Sequence, residues 1–272
     1  MKYPTAKCGR RPLIFAHRGA NSFAPENSLA AFEAALQMGC DGIEMDLRFT
    51  ASGDVVVFHD RRTYRMTGCR GHVHQLSLKQ LREFRLQEKR EHFIPTLQEA
   101  LELIRDRTWI NLDVKKESMR SNGFEEKILS ILRDFHLCDN IIISSFNPVV
   151  IKRFHALAPE FRLGFIYKRR SHKIVANGVP LDSLHVYYRA LSRRYVANLH
   201  ARGYRVYAWT VDRESSMRRM LEKGVDGIIT NKPESFYQLV GFPPGAEGRP
   251  LTHSAPLNLQ PPAGRKYDEP RG

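Results

Sequence analysis

The sequence is short of cysteine, with four in 272 residues: Cys8, Cys40, Cys69 and Cys138. They form no CxxC pair and no even framework. A disulfide scaffold and a cysteine zinc site are therefore set aside, and the thiols read as reduced ones in a cytoplasmic protein. Long apolar runs are absent too. No stretch approaches the ~20 residues that span a bilayer. The first residues lack an apolar core followed by a small-residue cleavage site, so no secretory signal is expected. No glycine-rich phosphate fingerprint follows the first apolar run, as a doubly wound nucleotide-binding sheet would want. Zinc-finger spacing and aromatic–basic ribonucleoprotein motifs are missing, so nucleic acid is not expected as a partner. No internal repeat has a clean period. Negative charge is in deficit: 29 Asp+Glu face 43 Lys+Arg, a formal net charge of +14. That balance favours anionic partners such as phosphate esters or anionic lipid surfaces, without choosing between them.

What is present is an alternation of two apolar periods. Leu13 to Ala16 reads as a short buried strand. Ser28 to Met38 reads as a helix capped by Asn27 or Ser28 and ended by Gly39. Strands are expected over Gly42 to Leu47 and, through the turn Ala51-Ser52-Gly53, over Asp54 to Phe58. From Arg61 to Pro95 the pattern loosens into a polar, His-rich stretch with one helix expected from Ser77 to Leu86. Thr96 then opens a helix with Glu99 three positions on. Strands starting at Trp109, Asn140, Arg162, Ser183, Tyr204 and Gly227 follow, with helices between them.

Eight strands in such alternation, one carrying a hairpin extension, imply an α/β fold: a closed (β/α)8 TIM-type barrel over residues 12–240. The expected organisation adds an N-terminal lead over 1–11, an insertion over about 61–95 and a tail over 241–272. The tail is rich in Pro and Gly and has no periodic apolar face. It cannot offset its ordering entropy, so disorder is expected there.

Residues fit for chemistry gather at expected strand ends. Glu44 and Asp46 are two apart on a strand and face the same way. With Ile43, Met45 and Leu47 turned toward the helices, both carboxylates point into the barrel. The strand from Trp109 repeats the arrangement with Asn111, Asp113 and Lys115 inward. Like charges crowded in a barrel mouth persist when a cation sits between them. An all-oxygen ligand set suits Mg2+, Ca2+ or Mn2+ rather than zinc. The competing reading is an internal salt-bridge layer of Lys115 with Asp113 and Arg48 with Asp46. Two strand-end histidines, His17 and His59, tip the balance toward a metal site with an acid and a base beside it. Arg18 offers a planar fork for phosphate. Lys115 offers charge for an equatorial oxygen. Trp209 ends a strand, either as packing or as an apolar wall for substrate. His72 and His74 lack a third ligand and read as solvated.

In order, these stretches are His17-Arg18-Gly19, Pro25-Glu26-Asn27-Ser28, Gly42 to Asp46, Val56 to Asp60, Asn111 to Lys115, Ser144-Ser145-Phe146, Trp209-Thr210-Val211 and Gly224 to Asn231. The ordered set closely resembles the glycerophosphodiester phosphodiesterase family over roughly residues 12 to 240. The resemblance implies a TIM-type barrel that hydrolyses glycerophosphodiesters to sn-glycerol 3-phosphate and an alcohol. It implies one divalent cation on Glu44, Asp46 and Asp113, with His17 and His59 as the acid–base pair. Arg18 and Lys115 would hold the phosphate, Asn27 would lie beside it, and Phe146 and Trp209 would border the glycerol. One departure stands out: Asp113 occupies a position where the family more often has Glu, one methylene longer.

Two other functions compete. A lysophospholipase D would share every catalytic residue and differ by an apolar approach to the barrel mouth. The polar insertion argues against that approach, whereas the basic surface argues for membrane contact, which stays open and is not required. A catalytically silent barrel that binds phosphorylated ligands would be expected to have lost a histidine or a carboxylate, and none is lost here.

Overall fold

The computed structural model describes residues 11–88, 92–116, 118–169 and 178–241. Eight parallel strands close on themselves: β1 (Leu13–His17), β2 (Gly42–Phe49), β4 (Trp109–Val114), β5 (Ile141–Ser145), β6 (Arg162–Tyr167), β7 (Ser183–Tyr187), β8 (Arg205–Trp209) and β9 (Gly227–Thr230). The ring is completed by β1 pairing with both β2 and β9. A further strand, β3 (Val55–Val57), folds back antiparallel on the upper part of β2. This is the expected barrel with its hairpin extension.

Nine α-helices occur among the described residues: α1 (Leu29–Gln37), α2 (Tyr64–Thr67), α3 (Leu78–Leu81), α4 (Leu97–Ile104), α5 (Phe124–Asp134), α6 (Pro148–Leu157), α7 (Arg193–Ala201), α8 (Glu214–Lys223) and α9 (Pro233–Val240). Capping decides where two of them begin. Ser28 accepts from the Ala31 amide, so the start of α1 falls to Ser28, and Asn27 is freed for another task. Thr96 and Glu99 form the reciprocal capping box of α4. None of the described helices is long and apolar enough to cross a membrane.

Alternation on the strands sorts side chains between two compartments. Ile43, Met45 and Leu47 on β2 and Ile110, Leu112 and Val114 on β4 are buried against the helix layer. Each such side chain contributes roughly 1.5–3 kcal/mol of transfer free energy. The opposite faces point into the barrel. Its lower half is plugged by Phe15, Ile142, Tyr207 and Ile229, which form a cluster of their own. Gly42 is required there, since a Cβ would lie 2.3 Å from the Phe15 ring. The plug leaves the polar inward residues at the C-terminal mouth, where TIM-type barrels carry their sites.

The insertion differs from expectation in its detail. It is not a loose polar loop. Val56, Phe58, Met66, Val73, Leu81, Leu86 and Ile94 make a small buried core. The helix expected from Ser77 to Leu86 stops after Leu81. The chain then turns so that Leu86 joins that core, and Gln87 takes a positive φ of 50°. Long-range burial outweighs local helical preference over these few residues. The expected disordered tail and the N-terminal lead fall outside the described residues, save Arg11 and Gly241. Gly241 caps α9 with a φ of 77°.

Candidate active site

Register builds the site. On β1 and β2, His17 lies opposite Glu44; on β2 and β4, Asp46 lies opposite Asp113. Parallel neighbours in register stand about 4.8 Å apart. Glu44 and Asp46, two apart on β2, are thus brought against Asp113 from far along the chain. Ligand oxygens of Glu44, Asp46 and Asp113 all lie within 4.8 Å of one another, and all three residues are buried.

The electrostatics of this cluster is unbalanced. Burial, then the charges of Asp46 and Asp113, push Glu44 well above the usual carboxylate range. Burial raises Asp113 as well, with Asp46 adding to it, and the pull of Lys115 does not overcome them. Burial would also raise Asp46, but Lys115 and Arg18 outweigh it and hold Asp46 well below its ordinary value. The three groups therefore do not share one comfortable charge state. One oxygen of Asp113 is buried without a hydrogen-bond partner. A hard cation bound between them would satisfy that oxygen and stabilise the ionised forms of Glu44 and Asp113. The donor set fits a divalent cation.

The competing salt-bridge layer is present only in part. Lys115 pairs with Asp113 and stands 3.0 Å from Asp46. Arg48 does not pair with Asp46; its Nε donates to the His59 carbonyl at 2.7 Å. Arg18 takes the place beside Asp46, at 3.1 Å. One face of the carboxylate cluster is thus screened by two cations.

The loop from β1 to α1 holds Arg18 in a coiled conformation. Arg18 has a φ of 60° and Asn27 one of 58°, left-handed values that cost about 1 kcal/mol or more for a side chain with a Cβ. Gly19 follows with a φ of 81°, and a Cβ there would meet the Ala31 backbone at 2.7 Å. The turn aims the Arg18 amide at Glu44, 3.0 Å away. The Arg18 carbonyl accepts from the Asn27 amide at 2.9 Å. Asn27, which the resemblance sets beside the phosphate, commits its side chain to Asp46. It donates to one carboxylate oxygen at 2.8 Å and accepts from the Asp46 amide at 3.3 Å. Its contact is with a metal-ligand candidate rather than with open space.

Each histidine has an orienting partner that motif reading had not assigned. His17 Nδ1 lies 2.7 Å from Asn231 Oδ1. That oxygen accepts a second bond from Asn21, which fixes the amide so that Oδ1 faces the ring. The Asn231 amide nitrogen donates to Asp212 at 2.8 Å. With Nδ1 donating to Asn231, His17 Nε2 is left bare, 3.9 Å from Glu44 Oε2. Burial, then the charge of Arg18, push His17 down to about 4, so its ring is neutral near pH 7. His59 Nδ1 lies 2.6 Å from Asp60 Oδ1. Asp60 is bridged by Arg65 of α2 to Glu26, and Glu26 binds Arg18 at 2.9 Å. Burial would raise both Asp60 and Glu26; hydrogen bonds from Arg65 and, respectively, His59 and Arg18 bring them below their ordinary values. A continuous ionic chain therefore joins the second histidine to Arg18 through the insertion.

Asn231 is the orienter with the clearest consequence. Asn231→Leu is expected to lower turnover by ~10-fold or more through loss of the partner that sets the His17 tautomer, and Asn231→Asp, which sets a second carboxylate against Asp212, not to restore it. Steady-state rates of the two variants check this. Equal rates for wild type and Asn231→Leu would reduce the contact to packing.

On the far side of the cluster a cavity of about 460 Å3 opens past Asp113 and Lys115 and along Ser145, Phe146 and Pro148. Phe146 and Trp209 meet edge to face with centroids 5.4 Å apart. The Trp209 indole donates to the His185 carbonyl at 3.0 Å, which pins the ring. All ten residues singled out from sequence meet at this mouth.

Known proteins resemble the chain over most of its length. The model of the glycerophosphoryl diester phosphodiesterase family matches residues 17–235. A glycerophosphodiester phosphodiesterase of Caldanaerobacter subterraneus is 34% identical over 238 residues, spanning 85% of this chain and 98% of that protein. One from Bacillus altitudinis is 33% identical, over 81% of this chain and 95% of that protein. Among solved structures, an Oleispira antarctica phosphodiesterase in complex with its product sn-glycerol-3-phosphate superposes with a TM-score of 0.77. It is 28% identical and spans 85% of this chain and 97% of that one.

Proposed function

Since the chain belongs to the glycerophosphoryl diester phosphodiesterase family, we propose that it hydrolyses glycerophosphodiesters to sn-glycerol 3-phosphate and an alcohol. The reaction depends on a divalent cation and uses His17 and His59 as an acid–base pair. The observation that carries this reading is the buried cluster of Glu44, Asp46 and Asp113, with both histidines and both cationic side chains around it.

Glu44, Asp46 and Asp113 would hold the cation, Mg2+ or Ca2+ with Mn2+ as a third candidate. When bound, it supplies Lewis-acid polarisation of a phosphoryl oxygen. Everything else falls to the chain's own side chains. Arg18 and Lys115 take the other phosphate oxygens and stabilise charge that grows on them in the transition state. One histidine accepts the proton of the attacking hydroxyl, and the other delivers one to the leaving alkoxide. Asn231 and Asp60 keep the two rings turned so that Nε2 is the working atom. Asn27 holds Asp46 in place. Phe146 and Trp209 offer an apolar wall to the carbon backbone of the glycerol.

The test is a panel of glycerophosphocholine, -ethanolamine, -inositol and -glycerol with one lysolipid, each with Mg2+, Ca2+ or Mn2+. Release of sn-glycerol 3-phosphate from the soluble diesters, lost on chelation, is the expected result. Tight binding of glycerol phosphates with no turnover under any cation would instead make the chain a binding barrel.

A further inference from the structure

The described residues expose five large hydrophobic side chains: Phe23 (60%), Tyr64 (59%), Met119 (65%), Phe146 (43%) and Leu157 (42%). Scattered singly, such residues need no explanation. These are not scattered. Phe23 lies in the β1–α1 loop, Tyr64 opens α2 of the insertion, Met119 lies in the β4–α5 loop and Phe146 directly follows β5. Phe23, Met119 and Phe146 follow the C-terminal ends of barrel strands and so stand on the mouth face, and Tyr64 is brought there by α2, whose Arg65 binds Glu26 of the β1–α1 loop. Only Leu157, the last residue of α6, sits at the other end of the barrel.

Charge follows the same face. Arg62 and Arg70 of the insertion, Arg120 of the β4–α5 loop, Lys168 after β6, Arg189 after β7 and Lys232 after β9 are all exposed. Acidic residues of these loops are largely engaged in ion pairs and hydrogen bonds: Glu26 and Asp60 with Arg65, and Asp212 with Asn231. Apolar tips on a face whose exposed cations form no ion pair among the described residues are complementary to an anionic lipid surface, where the tips enter the head-group region and the cations meet lipid phosphates. A second copy of this chain would bring the same sign of charge to the contact and be repelled.

We propose that the mouth of the barrel docks on an anionic lipid surface through Phe23, Tyr64 and Met119 and the basic residues between them. The docked orientation turns the carboxylate cluster and the 460 Å3 cavity toward the membrane. Docking does not depend on the reaction and is measured without it.

The experiment is cosedimentation of the full chain with vesicles of phosphatidylcholine alone, or of phosphatidylcholine with phosphatidylglycerol, at physiological salt. Binding to the anionic vesicles and not to the neutral ones is expected. Phe23→Ser with Tyr64→Ser is expected to weaken it by ~10-fold or more. The same variant should keep the wild-type melting temperature and turnover of a soluble diester. Arg120→Glu with Lys168→Glu should weaken binding by a similar factor, and Leu157→Ser should leave it unchanged. No vesicle binding by the wild type would overturn the proposal. So would equal binding by the serine variant, which leaves charge alone responsible. Self-association lost in the serine variant, without vesicle binding, would reassign the face to a contact between copies.

Discussion

Asp46→Asn is expected to abolish metal binding and to lower turnover by ~10³-fold or more. Losing the cation forfeits several kcal/mol of transition-state stabilisation, and each ~1.4 kcal/mol is tenfold in rate. Asp46 is the carboxylate most firmly ionised, because Lys115 and Arg18 hold it so. It is also the one on which Asn27, Arg18 and Lys115 converge. Binding gives a readout separate from activity. A cation that binds only the folded chain stabilises it by about 2.7 kcal/mol at a hundred times its Kd. For a domain of this size that raises Tm by ~5–10 °C. Wild type should show the rise with Mg2+ or Ca2+, and Asp46→Asn should not. The amide keeps the shape of the side chain, so the comparison does not rest on a cavity. Full turnover in excess chelator, with no metal in the protein, would sink the assignment.

The second large effect is on the histidines. His17→Ala and His59→Ala should each cost ~10²-fold or more in turnover, the size expected when a positioned acid or base is removed. Both variants should keep the metal-dependent rise in Tm, since neither ring belongs to the carboxylate cluster. A nitrophenyl ester needs little help to leave, so it should partly rescue whichever variant lacks the acid. Equal losses on both substrates would deny the pair its division of labour. A near-normal rate for either variant on a poor leaving group would make that histidine structural.

Much of the site was legible because strand geometry is local. Alternation alone set Glu44 and Asp46 on the face opposite Ile43, Met45 and Leu47. The same rule turned Asp113 and Lys115 inward on β4. The partners of the histidines were not legible in that way. Asn231 stands 214 positions from His17, and no periodicity links a strand's end to a loop on the neighbouring strand. Asp60 is adjacent to His59 in sequence, yet its bridge through Arg65 to Glu26 depends on how the insertion packs. The family resemblance set Asn27 beside the phosphate. Its side chain turned to Asp46 once Ser28 had taken the helix cap.

The insertion carries the same lesson. Its polar composition argued against an apolar approach to the barrel mouth. Composition does not say which side chains a small core will consume. Met66, Val73 and Leu81 went inside, and Tyr64 was left on the surface. The sequence by itself determined the barrel, the inward direction of three carboxylates and the presence of two strand-end histidines. Those follow from the period of two along a strand and from short-range capping. Only the tertiary structure decided how the carboxylates' charges balance, what holds each ring in place and which face carries the exposed apolar tips. These depend on register across strands and on burial, which bring together residues the chain keeps far apart.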